Sequence, residues 1–349
     1  MESGAVLPSL EIAYTTMGRL NREGTNAVLV CHALTGNAHA ADALLESGET
    51  IPGWFNGIIG PALGLDTDRY CVICSNILGS CYGTTGPTSL DPSTGAPYRM
   101  TFPQMTVRDM VRAEKLLCDH LGVQRLVTII GGSLGGMQAL EWALLYPESV
   151  GSIVPIATAA AHSAWCIGIS ETQRLAIMND PAWEGGNYTA QPARGLAIAR
   201  SIAMISYRSQ ASFERRFGRT QIRPGDGHER VHVFDGIPLS FAVQSYLRYQ
   251  GEKLTDRFDA NTYIYLTRAM DMHDVGAGRG SVRDALAGIR ARVLSIGISS
   301  DVLYPPAEQK AIAANIPGAS YTELDSGHGH DAFLIEFDRM NSLLRDFLA

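Results

Sequence analysis

The chain lacks the features that would tie it to a membrane, to nucleic acid or to an oxidising compartment. No stretch of about 18 uninterrupted apolar residues occurs. The best candidate, Gly151 to Ile169, is broken by Pro155, His162 and Ser163, so no membrane-spanning helix is expected. The first residues, Met1 to Ala5, have neither the basic region nor the apolar core of a signal peptide. Positive charge is in deficit, with 28 Lys and Arg against 35 Asp and Glu and a net charge of -7. That balance argues against nucleic acid or an anionic lipid surface as the main partner. Cysteine is sparse: Cys31, Cys71, Cys74, Cys81, Cys118 and Cys166 show no disulfide or zinc framework. Cys71 and Cys74 are spaced C-x-x-C, but they lie in a strand-like run where side chains three apart point to opposite faces. No metal is expected, and a reducing, cytoplasmic setting fits the free thiols. Internal repeats and low-complexity tracts are also missing.

What is present is an ordinary globular balance, 46% hydrophobic and 18% charged, in 349 residues. The most informative stretch runs from Leu126 to Tyr146. Leu126 to Ile130 reads as a buried strand, Gly131-Gly132-Ser133-Leu134-Gly135 follows, and an apolar helical pattern begins at Met137. This is the G-x-S-x-G elbow in the strand, turn, helix context it requires. The glycines flank a tight turn that projects the Ser133 hydroxyl above the sheet. The helix behind it turns its free N–H groups toward an anion forming on a substrate carbonyl.

Leu10 to Tyr14 alternates like a half-exposed strand, and Asn26 to Cys31 and Tyr70 to Cys74 read as covered strands. Ser75 to Pro103 is a long Gly-, Pro- and Ser-rich loop, a length usually functional or packed over a site. Thr106 caps a helix, and Ser152 to Ala157 is a further strand. From about residue 160 the rhythm gives way to helices such as Arg194 to Tyr207 and Phe241 to Gln250. It resumes with a strand at Arg292 to Gly297, a helix at Ala307 to Ile316, a strand at Ser320 to Leu324 and a last helix from Asp331. Alternation of this kind means a mostly parallel sheet with helices on both faces. The expected organisation is an α/β core of residues 1–159 and 286–349, interrupted by a helical lid insertion at 160–285.

A serine nucleophile needs a base and an acid to hold that base. In an elbow protein these follow in the order acid, then histidine, at the ends of later strands. Asp301 follows the strand ending at Gly297. His328 and His330 follow the strand ending at Leu324. His330 is preferred because it directly precedes the expected last helix, with His328 as the alternative. Asp301 could otherwise cap the helix near Pro305. Two backbone N–H groups are expected to face an oxyanion: Leu134, just after the serine, and Leu34, in the loop His32 to Gly36. His32 itself reads as structural.

Several longer segments resemble the homoserine O-acetyltransferases, the α/β-hydrolase-fold acyltransferases of methionine biosynthesis. They are His32 to Gly36, Ser75 to Pro87, Gly131 to Gln138, Ser245 to Lys253, Arg257 to Asn261 and Gly329 to Leu334, and they span nearly the whole chain. Leu134 stands where methionine is more usual, and a little of the usual N-terminal extension is missing. The resemblance implies a ping-pong acetyl transfer from acetyl-CoA, as co-substrate, through Ser133 to L-homoserine. His330 would be the base, steadied by Asp301. It further implies Arg200 on the substrate carboxylate, Asp331 on its ammonium, Tyr207 near the acceptor hydroxyl, and a homodimer formed through the lid. From the residues alone Arg200 reads as an exposed lid arginine. Leu303 after the catalytic aspartate favours acetyl over succinyl, since succinyl-transferring relatives tend to carry an arginine there. A succinyl donor, serine as acceptor, an ester hydrolase and a non-catalytic binding protein are the alternatives. The arginines Arg215, Arg216, Arg219, Arg223 and Arg230 could meet the CoA phosphates, but such a run is more often a solvated lid surface, and they receive no role.

Overall fold

A computed structural model of the chain describes residues 1–44, 50–222 and 240–349. Seven strands build the main sheet: β1 (Tyr14–Met17), β2 (Ala27–Cys31), β3 (Cys71–Ser75), β4 (Leu126–Gly132), β5 (Ser152–Ile156), β6 (Arg292–Ile298) and β7 (Ser320–Leu324). Their order is β1-β3-β2-β4-β5-β6-β7, and every pairing is parallel except β1 with β3. β2, β3 and β5 are buried at every residue, which is why their sequences are continuous apolar runs without alternation. The first strand starts at Tyr14, not Leu10. Glu11 and Ala13 are extended but bond to the long loop instead: their N–H groups donate to Thr85 Oγ1 at 2.8 Å and Thr84 Oγ1 at 3.0 Å. The alternation is therefore real, and its partner is a loop.

The helices are α1 (Val107–His120), α2 (Leu134–Leu145), α3 (Ala164–Met178), α4 (Ala193–Tyr207), α5 (Gln210–Phe217), α6 (Ala242–Thr255), α7 (Ala260–Asp271), α8 (Val282–Ala287), α9 (Pro306–Asn315) and α10 (Phe337–Leu348). Thr106 and Asp109 close α1 with a capping box. Alternate residues of the strands feed two cores. Leu29, Ile73, Ile129 and Trp142 pack on one face of the sheet, and Val28, Val72, Ile130 and Phe333 on the other. Cys71 and Cys74 fall into these opposite cores, as their spacing requires.

α3 to α8 lie between β5 and β6. Tyr263 and Leu266 of α7 share a third core with Leu34, Met137, Leu303 and Tyr304, which stand just beyond the C-terminal ends of the strands or in α2. The inserted helices thus roof the end of the sheet where the elbow emerges. α8 lies across position 285/286, and its Ala285 and Leu286 pack in the sheet core with Leu29. No helix of the described residues is long and apolar enough to cross a membrane. The last helix begins at Phe337, not Asp331. Residues Gly329–Leu334 form a 3-10 turn, and non-helical backbone at Glu336 (φ -84, ψ 51) separates the two.

Two glycines give opposite expectations. A Cβ on Gly135 would lie 2.1 Å from the Cys31 carbonyl oxygen, a backbone atom that cannot move aside. Gly135→Ala should therefore lower stability by about 1–3 kcal/mol or block folding. Gly168, on an exposed face inside α3, has nothing within 4 Å of its Cβ direction. Gly168→Ala should raise stability by roughly 0.5–1 kcal/mol. Denaturant midpoints of the two variants check both signs.

Candidate active site

Ser133 joins β4 to α2 with φ 57 and ψ -124, a left-handed conformation that costs a non-glycine residue about 1–3 kcal/mol. Its backbone is held from all sides. The N–H donates to Ile156 O at 2.9 Å, and the carbonyl accepts from Gly136 N at 2.9 Å and Thr158 Oγ1 at 2.7 Å. Gly131 and Gly135 make the turn possible, because a Cβ on Gly131 would lie 2.5 Å from the Gly135 backbone. The side chain, by contrast, makes no hydrogen bond among the described residues, and the residue is buried.

Leu134 is the first residue of α2, so its N–H is free of the helical ladder. Leu34 lies in the loop after β2. That loop is pinned by His32, whose Nδ1 donates to Ala33 O at 2.8 Å while Nε2 accepts from Ile77 N–H at 3.1 Å. Burial pushes His32 down to about 4, so it stays neutral in this tautomer and acts as a brace. Arg257 fixes the same loop by donating to Thr35 O at 2.9 Å.

His330, not His328, is bonded to the aspartate: its Nδ1 donates to Asp301 Oδ2 at 2.7 Å. Asp301 Oδ1 accepts from the N–H groups of Leu303 and Tyr304 at 2.8 and 3.0 Å. Pro305, not Asp301, occupies the cap position of α9. Both members of the pair are buried. The His330 ring lies among those of Tyr207, Tyr304 and Phe333, with centroids 5.7, 5.3 and 5.8 Å away. Phe333 also lays this turn on the elbow, since a Cβ on Gly132 would be 2.5 Å from its ring. The Ser133 hydroxyl and the His330 ring are not hydrogen-bonded to one another.

Arg200 and Tyr207 face the same way on α4, with Arg200 Cζ 5.5 Å from the Tyr207 ring centroid. Arg200 has no ion pair with a carboxylate among the described residues. Asp331, beside His330, has Arg208 Nε 3.2 Å from its Oδ2. Burial raises Asp331 above the usual carboxylate range, opposed by Arg208, His330 and Arg200. Leu303 is buried and lines a small cavity with Leu34, His162, Cys166, Tyr207 and Tyr304; no lysine or arginine lines it. Among the described residues no group of three or more His, Cys, Asp or Glu could hold a metal ion.

Several neighbours of the site carry no sequence signal. Tyr304 flanks His330 and contacts His162 Nδ1 through its hydroxyl at 3.3 Å; Thr158 bonds the Ser133 carbonyl from the segment just past β5. Both lie on segments that follow strand ends, Tyr304 after β6 and Thr158 after β5, and no local spacing reveals what they meet.

The parallel sheet, the strained serine between strand and helix, and the buried His–Asp pair define an α/β-hydrolase-fold protein. The chain matches the alpha/beta hydrolase fold family over residues 26–337. It is 52% identical to the homoserine O-acetyltransferase of Moorella thermoacetica, an alignment covering 100% of this chain and 92% of that one. Its fold is similar to the crystal structure of homoserine O-acetyltransferase from Bacillus anthracis, with TM-score 0.89 and 29% identity over 97% of this chain and 92% of that one. Esterase E22 is similar too, with TM-score 0.87 and 28% identity over 97% and 94%. The chain belongs to the homoserine O-acetyltransferase family of acyltransferases.

The electrostatics of His330 are testable directly. Burial disfavours its imidazolium, but the Asp301 carboxylate and then Asp331 outweigh this and hold it above the ordinary value of 6.5. An NMR titration of the His330 ring should give a midpoint above 6.5. In Asp301→Asn, where burial loses its main opponent, the midpoint should fall below that of the parent. An unchanged midpoint would show that the carboxylate does not govern the ring.

Proposed function

We propose that the protein transfers an acetyl group from acetyl-CoA to the hydroxyl of L-homoserine through an acetyl-Ser133 intermediate. Ser133 Oγ attacks the thioester carbonyl while His330 Nε2 takes its proton. The C–S bond then breaks, and His330 returns the proton to the departing thiolate. Homoserine enters, His330 takes its hydroxyl proton as that oxygen attacks the acetyl-serine carbonyl, and the C–O bond to Ser133 then breaks as His330 returns the proton to Ser133 Oγ. The N–H groups of Leu34 and Leu134 bind the oxyanion in both halves. Asp301 keeps the His330 proton on Nδ1, so that Nε2 is free to accept. Hydrogen bonds of this kind often tighten only with substrate bound, so an unbonded Ser133 hydroxyl is compatible with the route. No metal or further cofactor enters these steps.

Arg200 meets the homoserine carboxylate and Asp331 its ammonium, so that both charges are paired on leaving water. Tyr207, between Arg200 and His330, stands next to the acceptor hydroxyl. Leu303 leaves the acyl pocket without a cation and so favours acetyl over succinyl. Two chains pair through the lid, where Ile198 and Ile205 of α4 are more than half exposed, and the setting is cytoplasmic. The observation that carries the reading is the His330–Asp301 bond, roofed by inserted helices, in a chain of this family. The likeness to esterase E22 favours a second reading, in which water takes the acyl group.

Acyl transfer measured with acetyl-CoA and succinyl-CoA, each with L-homoserine or L-serine, separates these possibilities if free thiol and acylated product are both followed. Acetylhomoserine should dominate, and Ser133→Ala should reduce the rate by more than about 10³-fold. Succinylation would remove the argument from Leu303. Thiol release without an acylated amino acid would establish the hydrolase reading. Arg200→Leu should weaken homoserine, as kcat/KM, by roughly 10- to 100-fold, the worth of a charge-assisted pair.

A further inference from the structure

Positive charge is unevenly placed in this acidic chain. Residues 200–219 hold five arginines and one acid, Glu214, against a net charge of -7 for the whole. The fold draws three of them, Arg208, Arg215 and Arg216, into one pocket with Phe213, Tyr246 and His328. Arg223 and Arg230 lie outside the described residues.

The pocket is ordered by its own contacts. Arg216 Cζ stands 5.1 Å from the Phe217 ring centroid and 4.8 Å from that of Tyr246, so stacking on the aromatics restrains the guanidinium. Phe213, Phe217 and Tyr246 pack on one another with centroids between 5.0 and 6.3 Å apart. Arg215 reaches across to the turn before the active-site histidine, where its guanidinium nitrogen lies 3.0 Å from the Cβ direction of Gly327. Arg208 has Asp331 for a partner, whereas Arg215 and Arg216 have no carboxylate among the described residues. Three cations with one carboxylate partner among the described residues, beside a cluster of aromatic rings, match a ligand that carries phosphates next to a planar base.

Position adds to the chemistry. His328 precedes His330 by two residues, and Arg208 follows Tyr207 and contacts Asp331. The pocket therefore shares a wall with the candidate active site. We propose that it binds the phosphorylated adenosine end of the acyl-CoA donor, with Arg215 and Arg216 on the phosphates and the rings of Phe213 and Tyr246 beside the base. This rests on the acyl-CoA reading of the function. It gives the arginine-rich run, otherwise a solvated lid surface, the task of holding the donor while its thioester reaches Ser133.

The test compares acetyl-CoA with S-acetyl-pantetheine, a thioester without the nucleotide, in the full-length protein. The double variant Arg215→Ala/Arg216→Ala should lower the ratio of kcat/KM for acetyl-CoA over that for S-acetyl-pantetheine by about tenfold or more, the loss expected for charge-assisted contacts. Arg215→Lys/Arg216→Lys, which keeps the charge, should lower it less. A ratio unchanged in the alanine variant overturns the proposal. Calorimetric titration of Ser133→Ala protein with adenosine 3′,5′-bisphosphate gives a readout without turnover. Binding should weaken with salt and be lost when both arginines become alanine. Binding indifferent to those substitutions also overturns it. If neither thioester yields acylated homoserine, the functional reading fails while the bisphosphate titration still decides the pocket.

Discussion

Everything at this site depends on one strained residue. Ser133 is held at a φ of 57 between β4 and α2, a conformation that its own side chain disfavours. Three features over-determine it: two flanking glycines without room for a Cβ, a hydrogen bond to β5 through Ile156, and the Thr158 hydroxyl on the serine carbonyl. These contacts all fall on the serine backbone and leave its side chain out. The Oγ is left out of these bonds, and Leu134, the next residue, opens α2 with its N–H outside the helical ladder.

A second constraint is electrostatic. The site buries two histidines next to the serine turn and gives them opposite characters. His32 has no carboxylate beside it, and burial keeps it neutral, where it braces the loop carrying Leu34. His330 is buried as well, but Asp301 and Asp331 stand against it and raise it. One imidazole becomes a strut, and the charged form of the other is stabilised. Arg208 and Arg200 in turn moderate Asp331, so the inserted segment contributes to the charge balance around His330 as well as roofing it.

Much of this was legible in the chain. The covered strands announced themselves as unbroken apolar runs, the elbow by glycines between strand and helix, and Asp301 and His330 by their order and their place after strands. Boundaries were less legible. Leu10 to Ala13 alternates as a strand would, yet pairs with Thr84 and Thr85, and Asp331 lies inside a 3-10 turn instead of opening the last helix. Alternation and apolar spacing report only which faces are covered. They do not say which segment provides the cover.

The sequence by itself therefore determined the α/β architecture, the strained serine and the candidate triad, because each is written in local spacing or in order along the chain. Only the tertiary structure decided that His330 and not His328 meets Asp301, since that rests on the direction of a side chain two residues along a tight turn. It alone set Tyr304 and Tyr207 against that ring, and gathered Arg208, Arg215 and Arg216 into one pocket. Those arrangements join residues from separate helices and strand ends. Their geometry is fixed by how the lid packs on the sheet, which no local pattern encodes.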